Sequence, residues 1–180
     1  VQSPLNVVPV ASDDAASIDE DSAYAGLPLL VNDADDDRLP GDAPLKAVAG
    51  QVTSQLGARV TIHEDGTFAY DASLVTQVQA LGPGESIIDS FEYEVIDALG
   101  DTSTGTVSLT VNGTNDAPVL KPDLYVKVSA AGVFIVSAED GLLKNDSDVD
   151  EKEPLKISLE LSDVVSREGA LISIRADGSF

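Results

Sequence analysis

The sequence predicts an all-β fold, arranged as tandem β-sandwich modules of which the second is incomplete. Three observations carry this expectation. Apolar residues alternate with polar ones along short runs. Glycine-bearing turns separate the runs. The sequence also repeats itself at a spacing of about one domain.

The elements follow in chain order. Arg59-Val60-Thr61-Ile62-His63 alternates briefly, with Val60 and Ile62 on one face. Glu64-Asp65-Gly66 then reads as a hairpin turn, the glycine supplying a positive φ. Residues 72–81 break the pattern. Leu74, Val75, Val78 and Leu81 stand at helical spacing, which predicts a short helical turn across the sandwich end, capped by Asp71 or Ser73. The alternative is an irregular loop with its apolar residues tucked in. Gly82-Pro83-Gly84 and Leu99-Gly100-Asp101 are further turns. Between them Phe91, Tyr93 and Val95 alternate with Glu92 and Glu94. Beyond them Val107, Leu109 and Val111 line one face of a run. Period two with one wet face marks antiparallel strands.

The repeat is carried by three segments. Asn6-Val7-Val8-Pro9-Val10 returns as Asn115-Asp116-Ala117-Pro118-Val119. Asn32-Asp33-Ala34-Asp35-Asp36-Asp37, followed by Pro44-Leu45-Lys46, returns as Asn145-Asp146-Ser147-Asp148-Val149-Asp150, followed by Pro154-Leu155-Lys156. Glu64-Asp65-Gly66-Thr67-Phe68 returns as Ala176-Asp177-Gly178-Ser179-Phe180. The expected modules are residues 1–113 and 114–180. The second is expected to lack counterparts of the 91–97 and 101–111 runs, as a piece of a longer chain would. Strand addition by another protein chain is the second explanation.

Composition narrows the function. The 180 residues carry a net charge of −22 and a pI near 4.1. That disfavours nucleic acid and anionic membrane as partners and favours cations. Cysteine is absent, which excludes disulfides, thiol catalysis and cysteine-ligated zinc. No leader-like segment and no apolar run of ~20 residues is present, so direct membrane insertion is not expected and any secretion signal lies outside this piece. His63 is the sole histidine, and no Gly-x-Ser-x-Gly elbow, His-Glu-x-x-His or phosphate loop occurs. Tryptophan is absent and aromatics are 4%, so a carbohydrate-cleaving carboxylate pair would lack sugar platforms. An enzyme is not expected.

The acidic clusters point to a hard cation. Asp33, Asp35 and Asp37 are spaced i, i+2, i+4, and Asp146, Asp148 and Asp150 repeat the spacing. In an extended loop alternate side chains converge, repelling by roughly 3 kcal/mol per pair at ~6 Å and an effective ε near 20. Calcium takes about six to eight oxygen ligands and would remove that repulsion. The loops are not EF-hands. The sixth and twelfth positions are Arg38 and Pro44 in one copy, Glu151 and Ile157 in the other. Solvated turns are the competing reading.

The combined pattern resembles a known family. Leu81-Gly82-Pro83-Gly84-Glu85-Ser86, the Asp89-Ser90-Phe91-Glu92-Tyr93-Glu94-Val95-Ile96-Asp97 run, Gly105-Thr106-Val107 and Gly113-Thr114-Asn115-Asp116-Ala117-Pro118 resemble VCBS-type repeats of large secreted RTX-type adhesins. With Asp19-Glu20-Asp21 and Asp65-Gly66-Thr67-Phe68, the frame is also similar to bacterial cadherin-like domains. The resemblance implies seven-stranded Greek-key sandwiches with calcium at module junctions. It implies a junction set of Glu20, Asp97, Asn115, Asp116, Asp146 and Asp148. Asp33, Asp35, Asp37 and Asp150 are the further candidate ligands. Ser129-Ala130-Ala131 stands where the first module has Asp19-Glu20-Asp21, so a site at the far end of the second module is expected to be weaker or missing. The implied function is a structural repeat of a bacterial surface or secreted adhesin, partnered by neighbouring repeats and supporting cell adhesion or biofilm formation. The alternatives are a module binding carbohydrate or host protein, and an accessory domain of a secreted hydrolase.

Overall fold

The computed structural model describes residues 6–22, 24–25, 28–36, 43–126, 132–150 and 154–180. These residues are mostly β, in several small sheets, with very little helix. The chain divides into two compact units, residues 1–114 and 115–180.

The first unit holds two four-stranded sheets. Its strands are β1 (Asp14–Asp19), β2 (Tyr24–Ala25), β3 (Lys46–Ala47), β4 (Gly50–Thr53), β5 (Arg59–Ile62), β6 (Phe68–Asp71), β7 (Ser86–Ile96) and β8 (Thr102–Asn112). One sheet has the order β1-β8-β7-β3, the other β2-β6-β5-β4. The resemblance implies seven strands; the described residues of this unit form eight, two of them only two residues long. Among the described residues every strand pairing is antiparallel but one: β1 runs parallel to β8, from Asp14 opposite Val107 to Asp19 opposite Asn112. A parallel pair needs a long crossover, and nearly the whole unit supplies it.

Alternation places the core where the sequence predicts it. Phe91, Tyr93 and Val95 of β7 and Val107, Leu109 and Val111 of β8 are buried. They share one cluster with Val60, Ile62, Phe68 and Tyr70 of the other sheet. The rings of Phe68 and Phe91 meet edge to face, 5.0 Å between centroids. Gly105 stands opposite Tyr93. A Cβ there would fall 2.7 Å from the Tyr93 ring, so the large ring requires the missing side chain.

Residues 72–81 do contain a helical turn, α1 (Thr76–Gln79), with Val78 buried and Leu74 turned out to solvent. Neither Asp71 nor Ser73 caps it: Val75 is the N-cap residue and makes no side-chain bond. The Asp71 carboxylate instead accepts bonds from the Ser73 N–H and hydroxyl. The apolar Leu29–Val31 forms a 3₁₀ turn rather than a strand, with Leu29 fully buried.

The second unit repeats part of the first, until its hairpin shifts register between Ile172 and Ile174, where β4–β5 pairs without a shift. Its hairpin is β9 (Leu161–Val165) with β10 (Leu171–Ile174). The pairs Val165–Leu171 and Val164–Ile172 reproduce Thr53–Arg59 and Val52–Val60 of β4–β5. In the first hairpin loop the Ser54 N–H donates to Ala58 O and the Ala58 N–H to Ser54 Oγ. Ser166 and Ala170 make the same two bonds. In the turn that follows, Gly66 and Gly178 have φ of 81° and 78°, and their carbonyls accept from Leu29 and Leu142. A positive φ with so little space explains glycine in both copies.

Two leucines test this packing. Leu109→Ala, at a site with 0% exposure, should cost about 2–5 kcal/mol in urea unfolding. Leu74→Ala, at 87% exposure, should change it by less than about 0.5 kcal/mol.

Candidate metal centre

The candidate ligands fall at three places, which the strands fix. Glu20 follows β1 directly. Its N–H donates to Asn112 O at the end of β8, so it stands where β8 runs into the linker. Its carboxylate is buried and accepts the Thr114 N–H at 2.7 Å. Neighbouring Asp21 accepts the Thr114 hydroxyl at 2.8 Å. Two carboxylates thus grip the last residue of the first unit.

Asp97 is not beside Glu20. It lies just past the other end of β7, whose Ser86 pairs with Asn112 and whose Ile96 pairs with Thr102. Ten strand steps of ~3.4 Å put it roughly 34 Å away. The resemblance-based junction set therefore fails at this residue. The cause is strand direction, because β1 ends at the opposite pole from the β7–β8 turn. Asp97 serves that turn: its Oδ1 accepts the N–H groups of Leu99, Gly100 and Asp101, and its Oδ2 accepts the Asn6 amide. Burial pushes its carboxyl up. The Asn6 amide and the three backbone donors outweigh that and hold it below the usual carboxylate range.

The first acidic cluster shares this pole. Asp33 Oδ1 accepts the Ser12 N–H at 2.8 Å. The Tyr93 hydroxyl lies 3.1 and 3.3 Å from the two Asp33 oxygens and 2.9 Å from Ser12 O. Asp14 faces the same group. Burial and then the Asp33 charge push its carboxyl up, offset in part by the Tyr93 hydroxyl and Asn32. Among the described residues, no group of three carboxylates gathers around Asp33 and Asp35. Asp37 lies outside the described residues.

The remaining candidates belong to the second unit. Asn115 is exposed and donates to Asp116 O. The Asp116 N–H donates to Asp150 Oδ2 at 2.6 Å. The Asp150 N–H donates in turn to Asp148 Oδ1. Asp146 Oδ1 accepts the Lys121 N–H, repeating the Asp33–Ser12 bond. The alternate-residue spacing therefore does not pool these carboxylates: Asp146 pins a neighbouring segment, Asp148 closes a turn and Asp150 holds the linker. Asp150 Oδ1 is buried with no hydrogen-bond partner. The resemblance implies Asp146 and Asp148 as junction ligands and leaves Asp150 a further candidate; nothing in the local pattern marks Asp150 out, because its bond to residue 116 is non-local.

His63 is exposed. Among the described residues, no helix is long and apolar enough to cross a membrane.

The buried Glu20 at the strand base and the alternating β7–β8 pair define a bacterial cadherin-like module. The family model for the bacterial cadherin-like domain matches residues 6–113, and the chain belongs to that family. Such domains typically occur as repeats in bacterial surface and secreted proteins, and the family often binds calcium. No curated protein matches the chain.

The Asp97 turn gives a pH test. Its depressed folded pKa contributes stability that is present above the unfolded value of about 3.9 and is lost as pH falls through the folded one. Asp97→Asn should lower the melting temperature at pH 7, and the gap to wild type should close by about pH 2. A gap independent of pH would show that the charge is not what matters there.

Proposed function

We propose that this chain is a structural stretch of a bacterial surface or secreted adhesin of the RTX, VCBS-containing kind. In this reading its modules are Greek-key sandwiches, calcium at the joint between them stiffens the rod, and neighbouring repeats are the main partners. The chain serves cell adhesion or biofilm formation and is not an enzyme.

One observation carries the calcium reading. The Thr114 N–H is bound to Glu20, and the Asp116 N–H is bound to Asp150. These nitrogens are two residues apart, so the chain itself holds them within about 7 Å. Two carboxylates from distant sequence are thereby tethered to one short piece of linker, beside Asp116. The donor set is all hard oxygen, which suits calcium and not a soft metal. Asp150 Oδ1, buried without a hydrogen-bond partner, is an anionic atom whose desolvation a cation would offset. Glu20, Asp116 and Asp150 would supply the charge, with Asn115 as a further oxygen donor. Calcium there would neutralise their mutual repulsion and restrict the linker.

Extracellular calcium modules bind at about 10⁻⁴–10⁻³ M, and saturation at 100 times the dissociation constant stabilises by about 2.7 kcal/mol. Calorimetry and scanning calorimetry in EDTA and in millimolar calcium test this. Glu20→Gln and Asp150→Asn should each weaken binding about tenfold or more, as loss of a charged ligand does. Asp97→Asn should leave calcium affinity unchanged. Small-angle scattering should show a stiffer particle with calcium. Identical melting and scattering in both conditions would overturn the proposal.

A further inference from the structure

The dipeptide Asn112-Gly113 occurs once in the chain, where β8 runs into the linker. Two separate constraints put these residues there. A Cβ on Gly113 would run into the carbonyl oxygens of Leu81 and Gly82, so no side chain fits. Asn112 is the last residue of β8 and stands opposite Asp19 of β1. Its Nδ2 donates to Ser17 Oγ at 3.0 Å and to Ile18 O at 3.1 Å, and its own carbonyl accepts the Glu20 N–H at 2.9 Å. Packing therefore requires a glycine, strand pairing uses an amide, and the two are adjacent.

Together they form a reactive pair, because no side chain shields the Gly113 nitrogen from the carboxamide before it. That nitrogen gives up its proton to base and attacks Asn112 Cγ. A C–N bond forms, the Cγ–Nδ2 bond breaks, and Nδ2 takes up a proton and leaves as ammonia. Water then opens the five-membered imide at either carbonyl. One opening gives aspartate; the other gives isoaspartate, with the main chain rerouted through Cβ. The folded strand holds both groups away from this reaction. Ring closure needs Cβ and the Gly113 nitrogen on the same side of the Asn112 Cα–C bond, and extended backbone keeps them apart. The Gly113 N–H is donated to Glu85 O at 2.9 Å, and Nδ2 is committed to β1.

We propose that Asn112-Gly113 is a self-modification site, closed in the folded module and reactive when the end of β8 opens, so that opening leaves a permanent chemical mark. The product does not fit the place it came from. An aspartate at position 112 cannot donate to Ile18 O, and it adds a negative charge opposite Asp19. An isoaspartate adds a main-chain atom between β8 and Thr114, whose N–H and hydroxyl are bound by Glu20 and Asp21. Either product weakens the pairing of β1 with β8 where the strand leaves the first unit. The chemistry needs no calcium.

The test follows the whole wild-type chain by peptide mass spectrometry, in EDTA at mildly alkaline pH, with and without guanidinium chloride. Ammonia loss at Asn112 should be at least about tenfold slower in buffer than in denaturant, because it requires local opening. In denaturant Asn112 should react before Asn32, Asn115 and Asn145, each of which precedes an aspartate. Asn112→Asp should speed hydrogen exchange at Glu20 and Thr114, while the Phe91 and Leu109 amides keep their protection. Equal rates at Asn112 in buffer and denaturant would overturn the proposal. So would reaction at Asn112 no faster than at Asn115 in denaturant. Both are read on the wild-type chain and do not depend on the variant folding. Unchanged exchange at Glu20 and Thr114 in Asn112→Asp would overturn the weakening of the strand end.

Discussion

The β7–β8 ribbon is the constraint on which the first unit depends. Two strands of eleven residues pair along their whole length, from Ser86–Asn112 to Ile96–Thr102. One face sends six apolar side chains into the core, each contributing roughly 1.5–3 kcal/mol by burial before conformational entropy is set against it. The ribbon also crosses to the opposite sheet with polar bonds. Asp89 is fully buried, which would be costly for a lone carboxylate, yet it accepts the Tyr70 hydroxyl and the N–H groups of Leu56 and Ser90. Burial, together with that interaction, pushes the Tyr70 hydroxyl pKa far up, so the proton stays on the phenol and the bond keeps its direction. Apolar packing and a buried charge therefore fix the same register between the two sheets.

The second unit separates what local sequence does from what the ribbon does. Its hairpin, both turns and the bonds of its acidic loop copy those of the first unit without a comparable ribbon among its described residues. Turn chemistry and short-range hydrogen bonds thus set these local shapes. They do not bury them. Burial of the first hairpin's apolar face depends on β7 and β8, strands far away in sequence.

This division also explains which features were legible beforehand. Alternation in 91–95 and 107–111 reports a local period, so those core residues could be read directly. The Gly66 turn and its Gly178 copy were legible for the same reason. The parallel pairing of β1 with β8 was not, since it joins residues about 93 apart and nothing in either run marks direction. Asp97 was misplaced because a motif match assigns a residue to a list but not to a pole of the strand. Asp89 stands in the sequence only as the first residue of the 89–97 segment that carries the resemblance, although its surroundings make it the buried link between sheets.

Acidic abundance is then a poor guide to metal, and leftover bonding capacity is a better one. Several carboxylates of the described residues are already engaged by nearby donors. Asp65, Asp71 and Asp177 each accept the N–H and hydroxyl of a residue two positions on, and those bonds hold their pKa values down. Such groups are stable as anions without a cation. Asp14 is the opposite case: burial and the neighbouring Asp33 charge push its carboxyl up, offset in part by the Tyr93 hydroxyl and Asn32. Asp150 has one oxygen on the linker and one buried without a hydrogen-bond partner. Two carboxylates of the same regular spacing, Asp146 and Asp150, thus hold different segments, Lys121 and the linker at Asp116. In a chain of charge −22 the count of carboxylates therefore says less than the bonds each one makes: the Thr114 N–H goes to Glu20 and the Asp116 N–H to Asp150.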